Sequence, residues 1–370
     1  MSDRDAHSAV EAPPSAGLSP LALADALLDT TGVRRNRDVL REVILSTLRL
    51  ARDDASRLDL KIARAAMSEM ADAFKMFAPF RETPKVTIFG SARTEPSDGL
   101  YVLTRQLAQR LAATGCMVVT GAGPGIMAAG NEGAGRDMTI GVNIRLPFET
   151  EANSWIDPGD KLVEMKYFFT RKLMLMKESS GFLVLPGGFG TLDEAFELLT
   201  LLQTGKAEPA PIVLVDTPGG NYWRAWEEFV SGVVYERGLA DRVDSSLYLV
   251  TDNVDRAIEE LLGFYRNYHS RRFVGNTMVL RLQHAPNEEQ LARLSEEFAD
   301  LCSERGIWTT PPLPPERADR DHLELERVAL EFDRTHQGRL RQLIDALNAL
   351  VPLEPKHLGS PPLVENDTGA

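Results

Sequence analysis

The sequence Gly181-Phe-Leu-Val-Leu185 is a short apolar run that leads into Pro186-Gly-Gly-Phe-Gly-Thr191. A helical pattern follows at once, Leu192-Asp-Glu-Ala-Phe-Glu-Leu-Leu199. This order predicts a strand, a glycine-rich turn and an amphipathic helix. In an α/β domain the arrangement places backbone N–H groups and the positive end of a helix dipole where an anion can bind. Because glycine permits positive φ and close approach by a ligand, we interpret the turn as a phosphate loop.

Glu194 in this stretch has two interpretations. Thr191 and Glu194 have the T-x-x-E spacing of a capping box, in which Glu194 would only close the first turn of its helix. Alternatively, Glu194 lies beside a bound phosphosugar. A phosphate repels a nearby carboxylate, so the presence of Glu194 at this position would be explained by a role in catalysis.

Apolar runs alternate with helical patterns across the middle of the chain. We predict strands over 85–89, 116–120, 139–144, 161–165, 181–185, 211–215 and 247–250. Strands that alternate with helices specify a mostly parallel sheet covered on both faces. The predicted fold is therefore α/β, a Rossmann-like doubly wound parallel sheet, with ligands bound beyond the carboxyl ends of its strands.

The flanking segments have other patterns. We predict a mostly flexible arm over residues 1–35, helices over 36–82, the Rossmann-like catalytic domain over 83–270, a small α/β domain over 271–351 and a disordered tail over 352–370. The apolar stripe on the N-terminal helices is typical of core or interface filling.

Composition limits the function classes. The 370 residues carry a formal net charge of -13, which argues against a general nucleic-acid binder. The two cysteines, Cys116 and Cys302, are far apart and support neither a disulfide framework nor a cysteine-based zinc site. No apolar run approaches the length of a membrane span, and we predict a cytoplasmic protein.

Three glycine-containing turns fall at predicted strand ends, and they begin at Gly90, Gly121 and Pro186. The middle turn departs from the dinucleotide fingerprint, because Ile126 stands at the third glycine position and Asn143 and Arg145 replace the acidic residue of the next strand. NAD is therefore disfavoured. Gly205-Lys206-Ala207 does not complete a Walker A loop, and none of the six histidines lies beside these turns. We predict no metal and no cofactor.

Arg171 and Lys172 begin the helix that precedes the phosphate loop. Two adjacent cations at a helix start oppose the helix dipole, which is a small structural cost. An anionic partner would explain the pair, although it could also be exposed surface.

These motifs together resemble one family. Gly121-Ala-Gly-Pro-Gly-Ile-Met127, then Arg171-Lys172, then Pro186-Gly-Gly-Phe-Gly-Thr-Leu-Asp-Glu194 are similar in order and spacing to the LONELY GUY (LOG) family. That family comprises nucleoside 5′-monophosphate phosphoribohydrolases, many of them mislabelled as lysine decarboxylases. The resemblance covers about residues 85–268, and the flanking segments look like the longer bacterial branch of the family.

The resemblance implies roles for particular residues. Glu194 and Arg171 match the pair assigned to catalysis in the family. Substrate and phosphate binding is implied for Gly90, Ser91, Gly123, Pro124, Gly125, Met127, Lys172, Gly187, Gly188, Gly190 and Thr191. Phe169 stands where the family has a histidine, two residues before the arginine.

The function implied by the resemblance is hydrolysis of the N-glycosidic bond of AMP-like nucleotides, with cytokinin riboside monophosphates among the candidates. Glu194 would stabilise the oxocarbenium-like transition state and orient or deprotonate water, while Arg171 would clamp ligand oxygens and keep Glu194 ionised. The resemblance also implies at least a homodimer with sites near the subunit interface.

Two other functions have to be weighed against the hydrolase. The main alternative is a nucleotide or molybdenum-cofactor carrier on the same scaffold, since fold alone does not decide function. Retention of both Arg171 and Glu194 favours the enzyme, because a carrier has no need of both. A lysine decarboxylase is disfavoured, since no setting for a pyridoxal Schiff-base lysine is apparent.

Overall fold

The structure is a computed structural model that describes residues 19–146, 151–157, 159–303 and 305–352. The chain divides into two compact units, residues 1–67 and 68–370. The described helices of the first unit are α1 (Pro20–Thr30), α2 (Arg37–Arg52) and the first half of α3 (Arg57–Phe77). Helix α1 thus occupies part of the segment predicted as a flexible arm, while residues 1–18 of that segment lie outside the described residues.

Helix α1 begins where its sequence predicts a helix start. Ser19 is the N-cap residue, its Oγ accepts a hydrogen bond from Ala22 N at 3.2 Å, and Pro20 stands at the first helical position. Asp25 on α1 pairs with Arg41 on α2, with 2.7 Å between Oδ1 and Nη2. The cap thus stabilises the start of α1, and the ion pair joins α1 to α2.

The second unit is built on a seven-stranded parallel sheet of order β4-β3-β2-β1-β5-β6-β7. The strands are β1 (Lys85–Phe89), β2 (Met117–Thr120), β3 (Thr139–Ile144), β4 (Leu162–Met165), β5 (Gly181–Val184), β6 (Ile212–Val215) and β7 (Tyr248–Thr251). The helices are α4 (Gly99–Ala113), α5 (Ile126–Ala134), α6 (Phe168–Lys177), α7 (Phe189–Gln203), α8 (Tyr222–Phe229) and α9 (Val254–Gly263). The predicted doubly wound parallel sheet is confirmed.

Neighbouring residues of the central strands face opposite sides of the sheet. On β2, Val118 packs into one apolar cluster with Leu107 of α4 and Leu261 of α9. The next residue, Val119, packs into a second cluster with Leu198 of α7. Both faces of the sheet are therefore covered by helices, which is why its strands are mostly apolar.

A small domain follows α9, and its sheet is antiparallel with order β10-β11-β9-β8. Its strands are β8 (Tyr268–Val274), β9 (Thr277–Leu282), β10 (Trp308–Thr309) and β11 (Glu326–Glu331). Its helices are α10 (Glu288–Glu297), α11 (Pro314–Asp319) and α12 (Gln337–Ala349). Strand β8 begins before the predicted boundary at residue 271, and most of the predicted tail, residues 353–370, lies outside the described residues. In the described part of the chain no helix is long and apolar enough to cross a membrane.

A buried ion network holds the small domain together. Glu316 on α11 is fully buried, and its Oε1 lies 2.9 Å from Arg281 Nη2 and 3.2 Å from Arg327 Nε. Its other oxygen accepts a hydrogen bond from Leu313 N at 2.9 Å. One carboxylate therefore compensates two buried guanidinium groups, on β9 and β11.

We predict that Glu316→Ala lowers the free energy of unfolding by about 3–5 kcal/mol, because it leaves two buried cations without their shared partner. Urea denaturation of the purified protein measures the loss. Glu324→Ala is the matched control, since Glu324 lies in the same region with an exposed side chain. A loss below about 1 kcal/mol for Glu316→Ala, in the range of a surface pair, would contradict the prediction.

Candidate active site

A cleft of about 720 Å³ opens at the carboxyl ends of the parallel strands. The loops after β1, β2 and β5 line it, together with the end of β3 and the first turns of α6 and α7. The chain runs in opposite directions across the sheet on the two sides of the β1–β5 pair. The cleft therefore lies at the switch point where open α/β sheets bind ligands.

The three glycine-rich loops are packed against one another. Ser91 N donates to Pro186 O at 3.2 Å, and Ile126 N donates to Ser91 O at 3.0 Å. Gly125 has φ +66°, and a Cβ there would lie 2.3 Å from Ser91 O. Glycine is required at this position both for the left-handed backbone and for the close approach of two loops.

Arg171 is fixed by the backbone of two strand ends. Its Nε donates to Val142 O at 3.0 Å, and its Nη2 donates to Gly121 O at 3.3 Å. A Cβ on Gly121 would lie 1.8 Å from Nη2, so only glycine leaves room for the guanidinium. Burial lowers the pKa of Arg171, although the charge of Glu194 opposes the shift. The guanidinium is still a cation at any working pH.

Glu194 lies in the second turn of α7 and is only 7% exposed. Helix α7 begins at Phe189 with Gly188 as its N-cap residue and has no side-chain cap. The capping-box interpretation of Thr191 and Glu194 is therefore wrong. The Oε2 atom of Glu194 is buried and has no hydrogen-bond partner. A structural role would leave this costly group unexplained.

Burial raises the pKa of Glu194 to about 7, and the nearby charges of Arg171 and Lys172 reduce the shift without cancelling it. The charge of Arg171 acts on Glu194 in the expected direction, since it lowers the carboxyl pKa, but desolvation is the larger effect and the net shift is upward. Both side chains line the cleft, yet no hydrogen bond or ion pair joins them among the described residues. Ligand atoms can therefore contact both groups.

The structure brings most of the predicted binding residues to the cleft, namely Gly90, Ser91, Gly123, Met127, Gly187, Gly188, Gly190 and Thr191. Pro124 and Gly125 are not among the lining residues, since Gly125 packs behind the loop that follows β1. Lys172 also lies away from the cleft lining. Its Nζ is 2.7 Å from Asp193 Oδ2 and 2.5 Å from Glu197 Oε2, so it pairs with α7.

Two residues of the site region were not predicted. Asn143, near the end of β3, lines the cleft, although the sequence singled it out only as a departure from the dinucleotide pattern. Glu69 on α3 accepts hydrogen bonds at Oε2 from Thr170 Oγ1 at 2.7 Å and from Tyr167 N at 3.4 Å. It places a buried negative charge at the start of α6, where Arg171 and Lys172 oppose the dipole.

No cluster of side chains suited to hold a metal ion occurs among the residues that the structure describes.

Comparison with known proteins finds similar sequences for the middle of the chain. A family model described as "Possible lysine decarboxylase" matches residues 122–261. A cytokinin riboside 5′-monophosphate phosphoribohydrolase from Mycobacterium tuberculosis is 35% identical over 102 residues, which are 27% of this chain and 51% of the relative. A probable enzyme of the same name from Oryza sativa subsp. japonica is 29% identical over 160 residues, 41% of this chain and 61% of the relative.

The chain thus spans about half to three fifths of the length of these curated relatives. Among solved structures, the molybdenum cofactor carrier protein from Chlamydomonas reinhardtii is 22% identical, with a TM-score of 0.35, and the match covers 49% of this chain and 98% of that protein.

The segment that the family model matches contains Arg171, the glycine-rich loop after β5 and Glu194.

Proposed function

We propose that this protein hydrolyses the N-glycosidic bond of nucleoside 5′-monophosphates to free base and ribose 5-phosphate. The observation that carries the proposal is the buried, unpartnered carboxylate of Glu194, which lines the same cleft as the guanidinium of Arg171. The names of the curated relatives support the reaction class.

The 5′-phosphate is bound at the start of α7. This helix of 15 residues has no side-chain cap, so the N–H groups of its first turn are free for a ligand. Gly188 and Gly190 have open space where a Cβ would stand, which leaves the loop accessible. A phosphate there gains several N–H hydrogen bonds and the favourable end of the helix dipole.

The reaction breaks the bond between C1′ and the base nitrogen and forms a bond between C1′ and a water oxygen. Positive charge builds on C1′ and the ring oxygen as the base leaves, and the Glu194 carboxylate stabilises it in a dry site. Glu194 then accepts a proton from the attacking water and returns it to solvent, while the departing base nitrogen takes up a proton. A carboxylate with a pKa near 7 is a suitable base at neutral pH.

Arg171 contributes a fixed positive charge. Because its two hydrogen bonds within the described residues go to backbone carbonyls, its orientation does not depend on the ligand. The free edge of the guanidinium contacts ligand oxygens, and its charge favours the ionised form of Glu194 once a ligand excludes water from the cleft.

We further propose a homodimer or higher homo-oligomer. The rim of the cleft carries exposed aromatic side chains, with Phe168 at 53% and Phe189 at 94% exposure. Large exposed apolar groups of this kind favour association. A cytoplasmic location and the lack of nucleic-acid partners stay predictions from the sequence.

We predict that Glu194→Gln lowers kcat at least about 100-fold, since the neutral amide cannot stabilise positive charge at C1′. The assay follows release of base and ribose 5-phosphate from AMP, CMP, GMP and an isoprenylated AMP. Nucleotide binding by the variant should persist. The control is Glu197→Gln, which removes a carboxylate one turn further along α7 and should retain most activity.

Unchanged turnover in Glu194→Gln would contradict the catalytic role. If the wild-type protein binds these nucleotides but releases base from none of them, the carrier function replaces the hydrolase.

The pH dependence of kcat/KM should show an acid limb near pH 7 instead of near the usual carboxyl value, because Glu194 must be ionised and burial raises its pKa to about 7. Activity should therefore rise with pH through the neutral range. The measurement is a set of initial rates at low nucleotide concentration from pH 5 to pH 9 on the wild-type protein. An acid limb near pH 4 to 5 would show that Glu194 is not the titrating group.

The same shift predicts a pH-dependent gain in stability for Glu194→Gln. The carboxyl is protonated in both folded and unfolded chains below its usual pKa of 4.5, and its burial costs up to about 3 kcal/mol once the pH exceeds its folded value of about 7. The variant should therefore unfold at a higher temperature than wild type at pH 8, and the difference should shrink toward pH 4.5. An equal difference in unfolding temperature at every pH would show that burial of the ionised Glu194 carboxylate is not the cause.

A further inference from the structure

Asn143 is a buried amide with one unused end. It lies near the carboxyl end of β3, is 6% exposed and lines the cleft. Its Oδ1 accepts a hydrogen bond from Ile144 N at 2.9 Å, which fixes the side chain against its own backbone. Its Nδ2 has no hydrogen-bond partner within the described part of the chain. A buried amide donor left open toward a cavity is suited to a ligand acceptor.

The position of Asn143 in the cleft decides which part of a nucleotide it meets. Three strand steps separate β3 from β5 in the sheet, which is roughly 14 Å at the usual strand spacing. If the phosphate binds at the start of α7, after β5, the other end of the ligand extends toward β3. Arg171 bonds to the backbone at the ends of β3 and β2, and Glu194 lies on α7, the helix at the phosphate end.

The lining near β3 has the character of a site for a planar heterocycle. Met127, Leu146 and Phe168 supply apolar surface, and Asn143 supplies an amide among them. Small-molecule sites combine mostly apolar walls with a few placed polar groups that fix orientation. The base half of a nucleotide has both an apolar face and a polar edge, so it matches this end of the cleft.

We propose that Asn143 Nδ2 donates a hydrogen bond to the base and makes Asn143 a specificity-determining residue. This inference rests on the proposed function. Because Oδ1 is already engaged, the amide presents a donor and favours a ring nitrogen or a carbonyl oxygen of the base. An exocyclic amino group at the same place would leave two donors facing each other.

The contact also acts on the reaction. Electron density moves onto the base as its bond to C1′ breaks, so a hydrogen bond donated to the base becomes stronger in the transition state than in the bound substrate. Loss of Nδ2 should therefore reduce kcat as well as weaken substrate binding.

The test compares wild type, Asn143→Ala and Asn143→Asp with AMP, IMP, GMP, CMP and UMP as substrates. We expect Asn143→Ala to lower kcat/KM for the preferred nucleotide about 3- to 10-fold, the effect of one neutral hydrogen bond, and to compress the differences among the five. Asn143→Asp should lower kcat/KM further than Asn143→Ala does, since it replaces a hydrogen-bond donor by a charged acceptor. Inhibition by ribose 5-phosphate, which has no base, should stay as in wild type.

Asn131→Ala is the matched control. Asn131 is a fully buried amide whose Nδ2 donates to Thr139 and whose Oδ1 accepts from Thr120 Oγ1 at 2.9 Å. Its loss should lower the unfolding temperature without changing the ratios among bases.

An equal loss of kcat/KM for all five nucleotides, together with weaker inhibition by ribose 5-phosphate, would overturn the proposal in favour of a structural role for Asn143. Unchanged kinetics in both Asn143 variants would overturn it as well. Should the wild-type protein cleave none of the nucleotides, the proposed function fails, and calorimetric binding of AMP against ribose 5-phosphate by wild type and Asn143→Ala then decides the contact alone.

Discussion

The desolvated carboxylate of Glu194 is the group around which the site is arranged. A buried oxygen without a partner is unfavourable in a folded protein, and the fold retains it only because the surrounding structure is stable without it. The parallel sheet supplies that stability, with apolar clusters on both faces. Helix α7 holds Glu194 rigidly, one turn inside the helix start that faces the cleft.

Arg171 needs equally specific support. Its guanidinium crosses the ends of β2 and β3, where Gly121 has no side chain to obstruct it and Val142 offers a carbonyl. Its helix α6 begins at Phe168, and the Glu69 carboxylate on α3 accepts a hydrogen bond from Thr170 Oγ1 in the first turn of that helix. The orientation of Arg171 thus depends on two strand ends and on a glycine, each for a separate physical reason.

Local patterns predicted much of this architecture. The strand of residues 85–89 coincides with β1, and that of residues 139–144 coincides with β3, because a strand buried on both faces is a continuous apolar run between polar turns. The positions of Arg171 and Glu194 in the cleft followed from motif order, since parallel strands bring their carboxyl ends to one edge.

Properties set by tertiary environment could not be predicted in this way. The direction of the pKa shift of Glu194 depends on how far water is excluded, which no motif encodes. Lys172 turns toward Asp193 and Glu197 because the next helix presents two carboxylates to it. Strand β8 was not predicted, because Tyr268 to Val274 contains the polar residues His269, Arg271 and Arg272. These residues interrupt the apolar run by which a strand of the small domain would be recognised.

The hydrogen bond between Thr170 and Glu69 joins residues that are 101 positions apart in the chain. It links the second half of α3 to the first turn of α6, the turn that contains Arg171. A variant that lacked the Glu69 carboxylate would leave the hydroxyl of Thr170 and the amide of Tyr167 without this shared acceptor.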